Sequence, residues 1–154
     1  MRRGLYFEEL EPGMKFVSKG RTITETDVVN FAGLSGDYNP LHTNEQYAKT
    51  TIFGRRIAHG VLGIALMVGF NQSLGITEET MHAFLGLEWD FLRPVFIGDT
   101  LHLEIEVESK RESKKNDRGI VNFRCRMVNQ HGEVAQEGIR KMLMKRRPKE
   151  DGRP

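Results

Sequence analysis

Residues 59–74 constrain the fold of this chain more than any other stretch. Val61, Leu62, Ile64, Ala65, Leu66, Met67, Val68 and Phe70 distribute apolar side chains around the whole circumference of a helix. A helix of that kind is expected to be buried on most sides. The apolar run 61–70 is too short to cross a bilayer, so its cover has to come from protein. Gly60, Gly63 and Gly69 lower its helix propensity and leave room for close approach by a sheet.

The downstream sequence offers that sheet. Leu101, Leu103, Ile105 and Val107 alternate with polar residues, the pattern of a half-buried strand. Residues 120–128 read as the next strand, 129–132 as its turn, and 133–144 as the last strand if Gly138 is accommodated. Residues 81–92 alternate in part and read as β, and 110–119 as a charged hairpin loop. Upstream, 14–23 alternate loosely around Lys19-Gly20 and predict a strand or short hairpin. Thr24 and Asp27 have the spacing of a capping box, and Val28, Phe31, Ala32 and Leu34 follow at helical spacing. Residues 45–49 predict a short helical stretch. Helices first and a three-stranded meander afterwards indicate an α+β fold, an antiparallel sheet wrapped around one long helix. A single domain is expected over 1–144, with a basic, disordered tail over 145–154.

The charge balance is +2, which gives no basis for nucleic-acid binding. Cys125 is the only cysteine, so no intrachain disulfide can form, in keeping with a reducing cytoplasm. The basic start, residues 1–4, leads into Glu8, Glu9 and Glu11 without an apolar signal core, so no membrane or export segment is expected. His102 and His131 are expected at the surface and Cys125 in the core.

The candidate chemistry lies at Ser35-Gly36-Asp37-Tyr38-Asn39-Pro40-Leu41-His42. A carboxylate and an imidazole, the two groups a proton-transfer site needs, stand five residues apart on a segment that cannot be one continuous helix. Pro40 removes a donor and disfavours helical angles at Asn39, and Gly36 admits angles other residues resist. Asn39 can brace the turn through its amide. Turn composition of this kind is most often only a connection. His42, however, supplies an imidazole, the side-chain type suited to proton transfer near neutral pH. Arg55 and Arg56 read first as a solvated loop and second as phosphate ligands. His59 reads, by itself, as a polar residue at a helix start.

Ala32, Ser35, Gly36, Asp37, Asn39, Pro40, Leu41, His42 and Ala48, followed by Phe53, Gly54, Ile57, Ala58, His59 and Gly60, resemble the signature of the MaoC-like, R-specific enoyl-CoA hydratases. The resemblance runs from about Phe16 to Leu143 and implies a hot-dog fold, at least a homodimer, and an acyl-CoA substrate. It implies reversible addition of water to a trans-2-enoyl-CoA, giving the (R)-3-hydroxyacyl-CoA. In that reading His42 is the base on water, while Asp37 holds the water and handles the C2 proton, the division of protons being open. The Gly60 N–H, at the positive end of the long helix, polarises the thioester carbonyl. Ser35, Gly36, Asn39, Pro40 and His59 support the site. Leu34, Arg55, Arg56, Ile57 and Val61 are candidates for substrate contact. Acyl-pocket size depends on which of Leu34, Ile57, Val61, Phe84 and Trp89 point inward. No metal and no separate cofactor are expected, coenzyme A being part of the substrate. The alternatives are a hot-dog acyl-CoA thioesterase and a non-catalytic acyl-CoA-binding protein.

Overall fold

The computed structural model describes residues 4–148. After a 3₁₀ turn at Phe7–Glu9 come β1 (Lys15–Val17), β2 (Arg21–Thr22), α1 (Glu25–Ser35), α2 (Pro40–Thr43), α3 (Glu45–Ala48) and α4 (Gly60–Leu74). Four long strands follow: β3 (Met81–Phe91), β4 (Thr100–Glu112), β5 (Arg118–Val128) and β6 (Val134–Lys145). The sheet is antiparallel with order β1-β4-β5-β6-β3, and β2 pairs separately with β4. This is the expected helix-on-sheet architecture, with β4, β5 and β6 forming the meander.

The alternation in β4 places Leu101, Leu103, Ile105 and Val107 in the core. Val121, Phe123, Cys125 and Met127 do the same from β5, and Leu62, Met67 and Phe70 of α4 pack into the same cluster. Cys125 is buried, and burial, opposed by the charge of Arg140, pushes its thiol up to about 11. His131 is exposed and His102 half-buried.

Four expectations are corrected. Residues 14–23 do not fold back as a hairpin: β1 and β2 both add to β4, with Lys15 opposite Glu106 and Arg21 opposite Leu101. Between them Ser18 keeps the segment on β4, its N–H donating to the Leu103 carbonyl and its hydroxyl accepting from the Leu103 N–H. The charged loop 110–119 is shorter than expected, because pairing continues to Glu112 opposite Gly119. Backbone ladders are indifferent to charge where side chains point to water. α4 is not buried on most sides: Val61 is 58 % exposed and Val68 49 % exposed, since the sheet covers one face of the helix. The disordered tail does not begin at 145, because Lys145 closes β6 and Arg147 is tied to Glu8 and Glu9. The rest of the expected tail, 149–154, lies outside the described residues, as does the basic start at 1–3.

Candidate active site

The local sequence builds the turn that carries Asp37. Thr24 and Asp27 form a reciprocal capping box that starts α1, with the Thr24 Oγ1 accepting from the Asp27 N–H at 3.2 Å. Burial raises the Asp27 carboxyl, but the bonds from Thr24 and the charge of Arg21 outweigh it and hold the group below its ordinary range. Gly36 ends α1 at φ 76°, a conformation glycine adopts without a Cβ penalty. Ser35 then bridges the break, its hydroxyl donating to the Phe31 carbonyl and accepting from the Asp37 N–H. Asp37 Oδ1 accepts from the Asn39 N–H at 3.1 Å, and Asn39 Oδ1 accepts from the Leu41 N–H at 2.9 Å. Pro40, rather than only interrupting a helix, opens α2 as its first residue, where no backbone donor is needed. His42 therefore rides on a one-turn helix while Asp37 stays on the linker.

The two groups meet across that turn. His42 Nε2 lies 4.0 Å from Asp37 Oδ2, with the histidine side chain 11 % exposed and the aspartate 51 % exposed. His42 Nδ1 is 2.8 Å from the Ile57 carbonyl oxygen. A carbonyl only accepts, so Nδ1 carries a proton, and in the neutral imidazole Nε2 keeps its lone pair. Ile57 is fixed in turn: it bridges to Phe96, and the Ala58 N–H donates to the Val95 carbonyl at 2.8 Å.

His59, the N-cap of α4, joins the pair from the other side. It is buried, its Nε2 donates to the Asp37 carbonyl at 2.9 Å, and its Nδ1 has no hydrogen-bond partner among the described residues. Its ring stacks on His42 with centroids 3.9 Å apart, and Phe31 of α1 backs it at 5.0 Å. Ligand atoms of Asp37, His42 and His59 all lie within 4.8 Å of one another, a grouping of metal-ligating types that linear spacing did not announce. His59 reaches it from a different element.

A cleft of about 320 Å³ opens beside these residues, lined by His42, Phe53, Ile57, Gly60, Phe91 and Gln136 among others. Gly60 is the first residue of α4, and a Cβ there would fall 2.8 Å from the Phe91 ring. The glycine thus lets the Phe91 ring of β3 lie against the start of α4. Ile57 lines the cleft, whereas Leu34, 85 % exposed, and Val61 do not. Phe84 is exposed on β3, and Trp89 packs partly buried against the core. Arg55 stacks its guanidinium 4.0 Å over the Phe96 ring. Arg56 is engaged within the chain: its guanidinium is bidentate to Glu25, at 2.7 and 2.8 Å, and bonded to Glu45 at 3.0 Å. These bonds raise its pKa and tie α1 to α3.

Gln136 of β6 went unnoticed in the sequence, where it is one polar residue in an amphipathic strand. It is buried, its Nε2 donates to the Gly60 carbonyl at 3.2 Å, and its Oε1 accepts from the Trp89 indole at 3.1 Å. A helical glycine opposite a strand glutamine is the only signal that could have pointed to it.

Comparison with known proteins identifies the family and the fold. The model of the MaoC like domain family matches residues 8–125. The (R)-specific enoyl-CoA hydratase of Rhodospirillum rubrum is 38 % identical over 136 residues, covering 86 % of this chain and 87 % of that protein. The enzyme of the same name from Aeromonas caviae is 36 % identical over 132 residues, covering 85 % and 92 %. Protein MaoC of Klebsiella aerogenes is 38 % identical over 114 residues, but that match spans only 33 % of its length. Among solved structures, the monoamine oxidase regulatory protein from Archaeoglobus fulgius superposes with a TM-score of 0.88 at 37 % identity, covering 96 % of this chain and 98 % of that one. The MaoC-like dehydratase from Rhodospirillum rubrum gives 0.87 at 31 % identity, covering 94 % and 99 %. With residues 8–125 under the family model and the sheet-on-helix architecture in place, the chain belongs to the MaoC-like family of hot-dog-fold proteins.

Proposed function

We propose that this protein is an R-specific enoyl-CoA hydratase, adding water reversibly across the 2,3 double bond of a trans-2-enoyl-CoA. The observation that carries the reading is the 4.0 Å gap between His42 Nε2 and Asp37 Oδ2, His42 lining the same cleft as Gly60. The gap is too long for a direct hydrogen bond and suits a water held by both groups. As that water's oxygen bonds to C3, one of its protons passes to the Asp37–His42 pair, and the π electrons move toward the thioester oxygen. The pair then returns a proton to C2, so that H and OH are added overall. A positioned acid–base pair contributes roughly 10²–10⁴-fold. Negative charge on the thioester oxygen falls to the Gly60 N–H, whose helix end favours it. The chemistry uses no metal and no separate cofactor, and a chelator should leave turnover unchanged.

Arg55, on the loop before the cleft, is the cation we assign to the phosphates of coenzyme A, since Arg56 is held by two carboxylates. A homodimer accounts for the apolar surface left open on β3 at Met81, Phe84, Leu85 and Phe91 and on α4 at Val61 and Val68. No helix among the described residues is long and apolar enough to cross a membrane, and the single buried thiol suits the cytoplasmic setting we propose.

The test is crotonyl-CoA with chiral analysis of the product. Loss of enoyl absorbance, no free thiol and an R product are expected. Thiol release from butyryl-CoA would favour a thioesterase, and an S product would reject the reading.

A further inference from the structure

We propose that Gln136 is a positioning residue, which holds the first turn of α4 so that the Gly60 N–H is aimed into the cleft. The inference rests on the proposed role of that N–H in polarising the thioester.

The orientation of the Gln136 amide is fixed by its neighbours. The Trp89 indole N–H can only donate, so it takes Oε1; the Gly60 carbonyl can only accept, so it takes Nε2. The result is a relay from β3 through β6 to the start of α4. Gly60 begins that helix without a Cβ, and its backbone is intrinsically freer than that of any other residue. Its N–H and its carbonyl belong to the peptide groups on either side of one Cα, so anchoring the carbonyl limits the rotation that would swing the N–H away. The preceding peptide is anchored too, through the His59 ring on the Asp37 carbonyl at 2.9 Å. The peptide joining His59 to Gly60 is therefore held from both flanks, by the turn that carries Asp37 and by the sheet.

Packing reports the same specialisation. A Cβ on Gly63 would stand 2.3 Å from Gln136 Oε1, so one helical turn on, the chain omits a side chain where the amide lies. A contact needed only for packing would be met by an apolar residue at less desolvation cost. Here both ends of a buried amide are satisfied by elements that flank the cleft, and Gln136 itself lines it alongside His42 and Gly60.

The experiment is infrared difference spectroscopy of ¹³C=O-labelled butyryl-CoA, a saturated ligand that cannot be hydrated, bound to wild type and to Gln136→Met, with steady-state kinetics on crotonyl-CoA. In wild type the thioester carbonyl stretch should move to lower frequency on binding. In Gln136→Met that displacement should shrink, and kcat should fall roughly ten- to a hundredfold with KM nearly unchanged. Wild-type kcat, or a lowered kcat with the full carbonyl displacement, would overturn the positioning role and leave Gln136 a packing residue. No displacement even in wild type would instead remove the Gly60 donor role, and the positioning role with it. If Gln136→Met does not fold, Trp89→Phe carries the same comparison: it frees Oε1, and a smaller change in the same direction is expected, an unchanged spectrum and kcat being the overturning result.

Discussion

The Ile57 carbonyl accepts a hydrogen bond from His42 Nδ1 at 2.8 Å, which in the neutral imidazole leaves the Nε2 lone pair on the side of Asp37. A backbone atom thus sets the tautomer of the proposed base, and no side-chain substitution at Ile57 removes that acceptor. The consequence for the pair itself is direct. Asp37→Asn and His42→Ala should each lower hydration of crotonyl-CoA by at least about a hundredfold. Asp37 is exposed, so Asp37→Asn should melt close to wild type. Near-normal turnover in either variant would sink the assignment of that residue.

Gly60 is constrained twice, by the proposed thioester oxygen and by the Phe91 ring 2.8 Å from where a Cβ would sit. Gly60→Val should therefore lose both stability and kcat. Pairing Gly60→Ala with Phe91→Ala relieves the clash and separates the effects: melting should recover relative to Gly60→Ala alone, while kcat stays low. Recovery of kcat together with melting temperature would leave Gly60 as a packing glycine only.

Arg140 is a buried cation whose partners among the described residues are uncharged: Nη2 donates to Asn71 Oδ1 at 2.7 Å, Met67 Sδ lies 3.9 Å from Nη1, and the guanidinium stands 5.3 Å from the Phe123 ring. Asn71 is braced by Thr77 at 2.9 Å. Burial lowers the Arg140 pKa. Asn71→Ala, which strands the charge, should cost about 2–3 kcal/mol in urea denaturation. Arg140→Met, which removes the charge and keeps most of the volume, should cost less. The opposite ranking would show that the guanidinium is held by something other than Asn71.

The Arg56–Glu25 pair makes a pH-dependent contribution of predictable sign. The hydrogen bonds from Arg56, opposed by desolvation, hold the Glu25 carboxyl below its ordinary 4.5. A carboxyl depressed in the folded state binds its proton more readily when unfolded. The pair's contribution is therefore fully present above about pH 4.5 and is lost as pH falls through the lower folded value. Both groups reach solvent, so the effect is at most about 1 kcal/mol. Arg56→Met should melt below wild type at pH 7, and the gap should narrow at pH 3. A gap of constant size would mean that Arg56 acts through packing.

The capping box at Thr24 and Asp27, the alternation of Leu101, Leu103, Ile105 and Val107, and the breaks at Gly36 and Pro40 are local facts. Each depends on a residue and its near neighbours along the chain, so the sequence alone determined α1, β4 and the turn of Asp37 and His42. Only the tertiary structure decided what crosses between elements. It brought His59 onto His42, gave Arg56 to Glu25 and Glu45, set Gln136 against Gly60, and placed Arg140 beside Asn71. Those contacts join residues far apart in the chain, and a polar residue in an amphipathic strand looks the same whether it faces water or a helix end. The exposure of Val61 has the same origin: periodicity shows that a helix face is apolar, while the extent of the sheet decides whether one chain can cover it.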